Sequence, residues 1–278
     1  MGSNLQKFFF QMGARVKQVE VAPQPSGWQR GGSRGQDRQV VLDIKRDHRG
    51  PFFEIRTLAG SRQELLVLNA EPGRKHLLLL SRQFGGAGRV LAKQKFLCGH
   101  DERHWFVAAI PEDQPVSTVA GAQMALKPTE VRLREQTLGI DRKRGFRRRN
   151  AAFVRQGEWF FIPAKDVVAD PLRLLRNEPL SRGNGGKAHW AEHCYRSGGE
   201  TVFVSAKYPG GLTAARFNAL SEQERKQGFR MMKRDAVVYV RGEISHPDHR
   251  RVHLEGWHRV FMNTENRSMA MRNLAFLD

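Results

Sequence analysis

Two runs of alternating apolar residues near the C-terminus constrain the fold more than any other feature of this sequence. Apolar residues at every second position are typical of strands with one buried face, because successive side chains point to opposite faces. The positions that share one parity are Val238, Val240 and Ile244 in the first run and Val252, Leu254, Val260 and Met262 in the second. The runs flank a turn at residues 245–251, so they predict an antiparallel hairpin with one buried face.

Short apolar runs separated by turn residues recur through the rest of the chain and predict further strands. These strands cover residues 40–44, 52–56, 65–68, 76–80, 95–98, 105–110 and 201–205, with a hairpin formed by 152–154 and 159–162. Helices are predicted over residues 116–126, 166–175 and 213–232, the last with a capping box at Ser221 and Glu224. The predicted fold is α+β and β-rich, with antiparallel sheets or small barrel-like halves and a few short helices.

Three segments organise the chain. Residues 1–38 are predicted to be an extended, basic N-terminal segment with a short strand near Val16, because prolines and glycines crowd its second half. Residues 39–140 are predicted to form a β-rich subdomain. Residues 141–278 are predicted to form an α+β subdomain that ends in the hairpin.

The chain carries a large surplus of positive charge, with 47 Lys and Arg against 28 Asp and Glu and a formal net charge of +19. This surplus favours a polyanionic partner, most often nucleic acid, because each neutralised phosphate releases counterions. No run of ~18 apolar residues is present, so we predict no membrane partner. Cys98 and Cys194 lie outside any Cys-x-x-Cys pair, and with no export signal recognised the predicted location is the reducing cytoplasm.

The densest positive charge lies in residues 142–155, here called the basic segment. It contains seven cations and no acid, namely Arg142, Lys143, Arg144, Arg147, Arg148, Arg149 and Arg155. Phe146 and Phe153 lie inside it and Trp159 follows it. Cations bind phosphates and aromatic rings stack on unpaired bases, so the mixture predicts nucleic-acid binding, with RNA slightly preferred over DNA. The alternative is that these aromatic residues belong to a hairpin core.

Eight of the ten histidines fall in three groups, a pattern typical of metal or acid/base sites. The groups are His100 with His104, His189 with His193, and His246 with His249, His253 and His258. The letters His-x-x-Glu-His of residues 189–193 match the inverted zinc-protease motif, which requires a helix. His258 shares the parity of the apolar hairpin positions, so we expect it in the core.

The tight loop at residues 246–249 is the most compact candidate site. His246, Asp248 and His249 can bind a divalent metal or act in acid/base cleavage of a phosphodiester, with His100 and His104 as further ligands. A shared site requires at least two of the histidine groups to meet. We expect the groups to lie apart instead, as ordinary turn and surface residues.

Three hypotheses about function follow. The first is an intracellular nucleic-acid-binding protein that uses the basic segment and its aromatic neighbours. The second is a metal-dependent or histidine-based nuclease or other phosphodiester hydrolase. The third is a structural or assembly protein of a nucleic-acid-containing particle. Bound metal and turnover would favour the second, and self-assembly without nucleic acid would favour the third.

Overall fold

A computed structural model describes residues 2–22, 40–181 and 187–268. They divide into two compact units. The first unit comprises the described residues up to Pro128 and those from Thr264 onward, and the second unit comprises the described residues of Thr129–Asn263. The boundary predicted at residue 140 falls inside the second unit, and the predicted subdomains stay predictions. No helix in the described part of the chain is long and apolar enough to cross a membrane.

Among its described residues, the first unit contains two sheets and two α-helices. Its elements are α1 (Gly2–Gln11), β1 (Val16–Val21), β2 (Val41–Asp47), β3 (Gly50–Leu58), β4 (Arg62–Glu71), β5 (His76–Phe84), β6 (Val90–Asp101), β7 (His104–Ile110) and α2 (Val119–Ala125). One sheet has the order β1-β3-β2, with β1 parallel to β3. The other is an antiparallel meander, β4-β5-β6-β7. These strands and α2 confirm the predicted elements of residues 40–126.

The four-stranded sheet of the first unit is covered on both faces. Leu77 and Leu79 pack in one apolar cluster, whereas Leu78 packs with Val119 and Ala122 of α2 in another. A strand that is buried on both faces has apolar residues at consecutive positions of its sequence. This explains why residues 77–80 are all leucine.

Helix α1 corrects the prediction that the N-terminal segment is extended. Leu5, Phe9 and Met12 are buried at a helical spacing and pack with Phe53 of β3, whose ring centroid lies 5.0 Å from that of Phe9. Burial of this apolar stripe stabilises a helix that its glycine, serine and asparagine residues alone would not favour. The predicted strand near Val16 is confirmed as β1. The Pro- and Gly-rich residues 23–39 lie outside the described residues.

The second unit contains a six-stranded antiparallel sheet, a smaller sheet and four short helices among its described residues. Its elements are α3 (Thr129–Thr137), α4 (Arg142–Gly145), β8 (Val154–Gln156), β9 (Trp159–Pro163), β10 (Leu174–Leu180), β11 (His189–Ser197), β12 (Glu200–Val204), β13 (Leu212–Thr213), α5 (Ala214–Asn218), α6 (Glu222–Arg225), β14 (Arg230–Arg234), β15 (Val237–His246) and β16 (His249–Met262). The large sheet has the order β10-β11-β15-β16-β9-β8, and the small sheet has the order β13-β12-β14. The β-rich α+β class is therefore confirmed, whereas closure into barrel-like halves stays a prediction.

The predicted C-terminal hairpin is confirmed as β15 and β16. Val240 lies opposite His258 and Gly242 opposite Leu254, so β16 accommodates two extra residues between these pairs. Because the insertion is even, the alternation continues beyond it and Leu254 and Val260 share one buried face. Gly256, with a φ of +72°, lies in this bulge.

The predicted helix at 166–175 was wrong, and that at 213–232 is confirmed only as two short helices, capped by Thr213 and Ser221 as predicted. Residues 213–232 form two short helices and part of β14, because Ser221 starts a new capped helix with the predicted capping box and Gly228, at a φ of +57°, ends helical geometry. Residues 166–175 contain a 3-10 turn, Pro171–Arg173, followed by β10. There, pairing with β11 prevails over local helical preference.

Candidate nucleic-acid interface and histidine cluster

The basic segment begins with a short helix that presents its cations to solvent. Asp141 caps α4 by accepting a hydrogen bond from the backbone N–H of Arg144. The exposed cations of this part are Arg142, Lys143, Arg144, Arg147 and Arg149. Arg144 has an acidic neighbour, with its Nε 3.3 Å from Oδ2 of Asp141. The segment is therefore a dense cationic surface that solvent and a polyanion can reach.

The end of the basic segment is fixed to the six-stranded sheet. Arg149 donates from Nη2 to the backbone carbonyl of His253, at 2.9 Å, and its backbone forms a bridge with Val154. Arg148 and Arg155 are half-buried. Burial lowers the pKa of Arg148 to about 10, with repulsion from Arg155 as a second cause, so Arg148 remains charged at neutral pH.

Trp159 is not accessible for base stacking, so its predicted role in binding nucleic acid was wrong. Its side chain is fully buried, as is that of Phe161, and both pack in the main core of the second unit. Phe153 and Phe160 are buried in a second cluster on the other face of β9. Since both faces of β9 are covered, these rings form core, as the alternative interpretation held.

A different set of aromatic residues lies on the outer face of the six-stranded sheet. Tyr195 and Tyr239 are cross-strand partners, with ring centroids 6.2 Å apart. The ring of Trp257 lies 6.3 Å from that of Tyr195, and the guanidinium of Arg241 lies 4.8 Å from the Trp257 ring centroid. We call this surface the aromatic face, defined by these members and two further exposed arginines: Tyr195, Tyr239, Trp257, Arg173, Arg241 and Arg259.

An apolar cluster lies on the same side of the sheet as the aromatic face. Ile140 and Phe153, which flank the exposed cations of the basic segment in sequence, pack there with Phe160 of β9 and Phe261 of β16. Arg259 lies two residues before Phe261 on β16, opposite Tyr239, with its guanidinium 4.7 Å from the Phe261 ring centroid. The sequence signal for this face was available, because Tyr239 and Arg241 alternate with the buried Val238 and Val240.

Three histidines from two of the predicted groups meet in the same unit. His189 of β11, His246 at the end of β15 and His249 at the start of β16 each offer a ring nitrogen, and these nitrogens lie within 4.8 Å of one another. The rings are stacked, with centroids 4.1 Å apart for His189 and His246 and 5.4 Å apart for His189 and His249. The expectation that the groups lie apart was therefore wrong for two of the three.

Gln156 fixes the protonation pattern of the buried His189. Its side-chain nitrogen donates to the carbonyls of Ile244, at 3.2 Å, and Arg250, at 2.8 Å. Its Oε1 consequently faces Nδ1 of His189 at 2.9 Å and accepts the Nδ1 proton. The other ring nitrogen, Nε2, lies 3.6 Å from Oε2 of Glu158.

The surroundings of the other two histidines lower their pKa values. Burial lowers the pKa of His249 to about 4, with further lowering by the neighbouring His189 and His246. Burial also lowers the pKa of His246, and electrostatic repulsion from His189 is the second cause. Each ring therefore keeps one unprotonated nitrogen at pH 7. Such a nitrogen can accept a hydrogen bond, accept a proton or coordinate a metal.

The remaining candidate ligands occupy other surroundings. Asp248 pairs with Lys187, whose Nζ lies 2.7 Å from Oδ1. His100 and His104 belong to β6 and β7 of the first unit, where no group of three metal-ligating side chains forms around them among the residues described. Residues 189–193 are in a strand, which excludes the zinc-protease helix. His258 is buried and bonded to the Gly256 carbonyl at 3.1 Å, as expected of a core histidine.

Replacing Gly157 with alanine should destabilise the second unit more than replacing Gly139. Both glycines have left-handed backbones, with φ of +57° and +60°, so each substitution incurs a backbone cost of ~1–2 kcal/mol. A methyl group at Gly139 meets nothing within 4 Å, whereas one at Gly157 would lie 2.7 Å from Nε2 of His249 and 3.3 Å from Cε1 of His189. Denaturant unfolding of both variants measures the difference in the free energy of unfolding. Equal decreases in this free energy would mean that a methyl group at Gly157 does not displace His249 or His189.

Comparison of the chain with protein-family models, with curated proteins and with solved structures gave no match. No residue role is therefore carried over from a relative. The proposals below depend on the contacts, burial and charge described above.

Proposed function

We propose that the second unit binds single-stranded nucleic acid, with RNA slightly preferred over DNA. The observation that carries this proposal is that one unit presents exposed cations together with half-exposed aromatic rings. The cations come from the basic segment and the rings from the aromatic face. A single strand offers both groups that such a surface recognises, phosphates and unpaired bases.

The basic segment supports the phosphate half of the proposal. Its five exposed cations lie within eight residues of sequence, from Arg142 to Arg149. Arginine binds phosphate through a planar fork of donors, which lysine lacks. The bond from Arg149 to the His253 carbonyl holds the end of the segment against the sheet, so fewer conformations are lost when a strand binds.

The aromatic face supports the base half of the proposal. Tyr239 and Trp257 are half-exposed, and Arg173, Arg241 and Arg259 beside them are exposed. Guanidinium groups already lie over the rings of Tyr195 and Trp257, at 5.7 and 4.8 Å from the ring centroids. Planar cations and bases stack on the same kind of surface, so a base can occupy this face while an arginine turns towards a phosphate.

Replacing Trp257 with alanine should weaken the binding of a single-stranded RNA by about 5- to 150-fold, because stacking contributes ~1–3 kcal/mol per base. Trp257→Phe is the matched control, since it keeps a stacking ring and should retain most of the affinity. Fluorescence anisotropy with a labelled oligonucleotide measures both. Equal affinities for wild type and Trp257→Ala would exclude this ring from the binding surface.

Two other functions predicted from the sequence stay alternatives. Phosphodiester hydrolysis is favoured by one specific observation, the meeting of His189, His246 and His249 in the same unit as the basic segment. Incubation of a bound oligonucleotide, with the products resolved by electrophoresis, distinguishes cleavage from binding. A role in assembling a nucleic-acid-containing particle would require self-association without nucleic acid. The cytoplasmic location stays a prediction too.

A further inference from the structure

We infer that His189, His246 and His249 form a binding site for one divalent transition-metal ion of the zinc type. Their candidate ligand nitrogens lie within 4.8 Å of one another, and the three residues belong to the strands β11, β15 and β16. Imidazole suits zinc, copper, iron and nickel, whereas magnesium and calcium prefer oxygen. A zinc ion with three protein ligands has a fourth position for water or substrate.

His189 is oriented as a metal ligand requires. A ligating histidine usually donates its second ring N–H to an oxygen, which fixes the tautomer and the plane of the ring. Nδ1 of His189 does this with Gln156 Oε1, and Gln156 is itself held by two backbone carbonyls.

The surroundings of Nε2 of His189 favour a cation. Oε2 of Glu158 lies 3.6 Å from Nε2 of His189. A metal ion bound at this nitrogen would therefore lie close to a carboxylate oxygen, which is attracted to a cation. Glu158 is thereby placed as a carboxylate ligand or as an acceptor for a metal-bound water.

Metal binding requires modest rearrangement of the other two rings. Nδ1 of His246 accepts from the Asp248 backbone N–H at 3.1 Å, and its Nε2 lies 3.3 Å from the Lys187 carbonyl. Coordination replaces one of these contacts. Zinc–nitrogen bonds of ~2.0–2.1 Å also require the ring nitrogens to approach one another. His246 and His249 flank a two-residue turn. A small change in the side-chain torsions of these two residues brings their ring nitrogens closer together.

Metal titration of the untagged full-length protein tests this site without any nucleic acid, so its result is independent of the proposed function. Chelator-treated wild type should take up one Zn²⁺ per chain in competition with a chromophoric chelator. Co²⁺ in its place should give the visible absorption of a tetrahedral site. His249→Ala should abolish both signals. His253→Ala, an exposed histidine of the same strand, should leave both unchanged.

A folded wild type that takes up neither ion, or a His249→Ala variant that binds as tightly as wild type, would overturn the inference. Circular dichroism establishes that each variant is folded. If His249→Ala does not fold, His246→Ala at the half-exposed turn replaces it in the same titration and must also lose the ion. Gln156→Leu should keep one site per chain but weaken it by about 10- to 100-fold, the usual effect of removing an outer hydrogen-bond partner of a ligand.

Discussion

Replacing Leu254 with aspartate is expected to unfold the second unit. Leu254 is 1% exposed and packs in the main core of that unit, opposite Gly242 in the hairpin. Truncation of a buried leucine to alanine already costs ~2–5 kcal/mol. A carboxylate at this position adds the cost of removing a charge from water with no partner. The total approaches the whole stability of an ordinary domain, ~5–15 kcal/mol.

The neighbouring residue provides the control for this prediction. His253 is exposed on the opposite face of the same strand, so His253→Asp introduces the same charge one position away without burying it. Thermal unfolding followed by circular dichroism should show a near-normal melting temperature for His253→Asp and loss of the cooperative transition of the second unit for Leu254→Asp. Similar melting of the two variants would mean that the register of β16 is wrong.

Reversing three exposed charges of the basic segment is expected to remove most nucleic-acid binding. Arg142, Lys143 and Arg147 are exposed, so their replacement by glutamate should leave the core unchanged. The change removes three phosphate contacts and adds three carboxylates that repel the strand. We expect affinity for a single-stranded RNA at moderate salt to fall by more than about 100-fold.

A second triple variant separates a local contact from a general effect of charge. Arg225, Lys226 and Arg230 are exposed in the same unit, at α6 and β14. Their replacement by glutamate lowers the net charge from +19 to +13, as the first variant does. The control should lose only a small part of the affinity. Equal losses would show that net charge, and not the basic segment, drives binding.

Alternation of apolar residues predicted the parts of the fold in which one sheet face is buried. The hairpin of β15 and β16 was found from parity alone, and an even bulge preserved that parity. Helix α1 was missed because its composition favours no helix, and contacts distant in sequence, such as Phe9 with Phe53, stabilise it. Within residues 213–232 the caps at Thr213 and Ser221 were predicted, but residues 230–232 belong to β14 because they pair with β12.

The candidate sites were predicted in part. The cations of the basic segment were found from their density, but the burial of Trp159 could not be, because an aromatic residue beside arginines serves a core and an interface equally well. His246 and His249 were found because they are close in sequence. Their third partner, His189, is brought to them only by the pairing of β11 with β15. Gln156, which orients His189, carried no sequence signal of its own.

The salt dependence of single-stranded RNA binding by the full chain tests the central claim most directly. If the five exposed cations of the basic segment each contact a phosphate, a plot of log K against log salt concentration should be linear with a slope of about −3.5. Affinity should then fall by about 100-fold between 50 and 200 mM salt. A chain that binds no oligonucleotide at 50 mM salt, or whose affinity does not change with salt, would contradict the proposal.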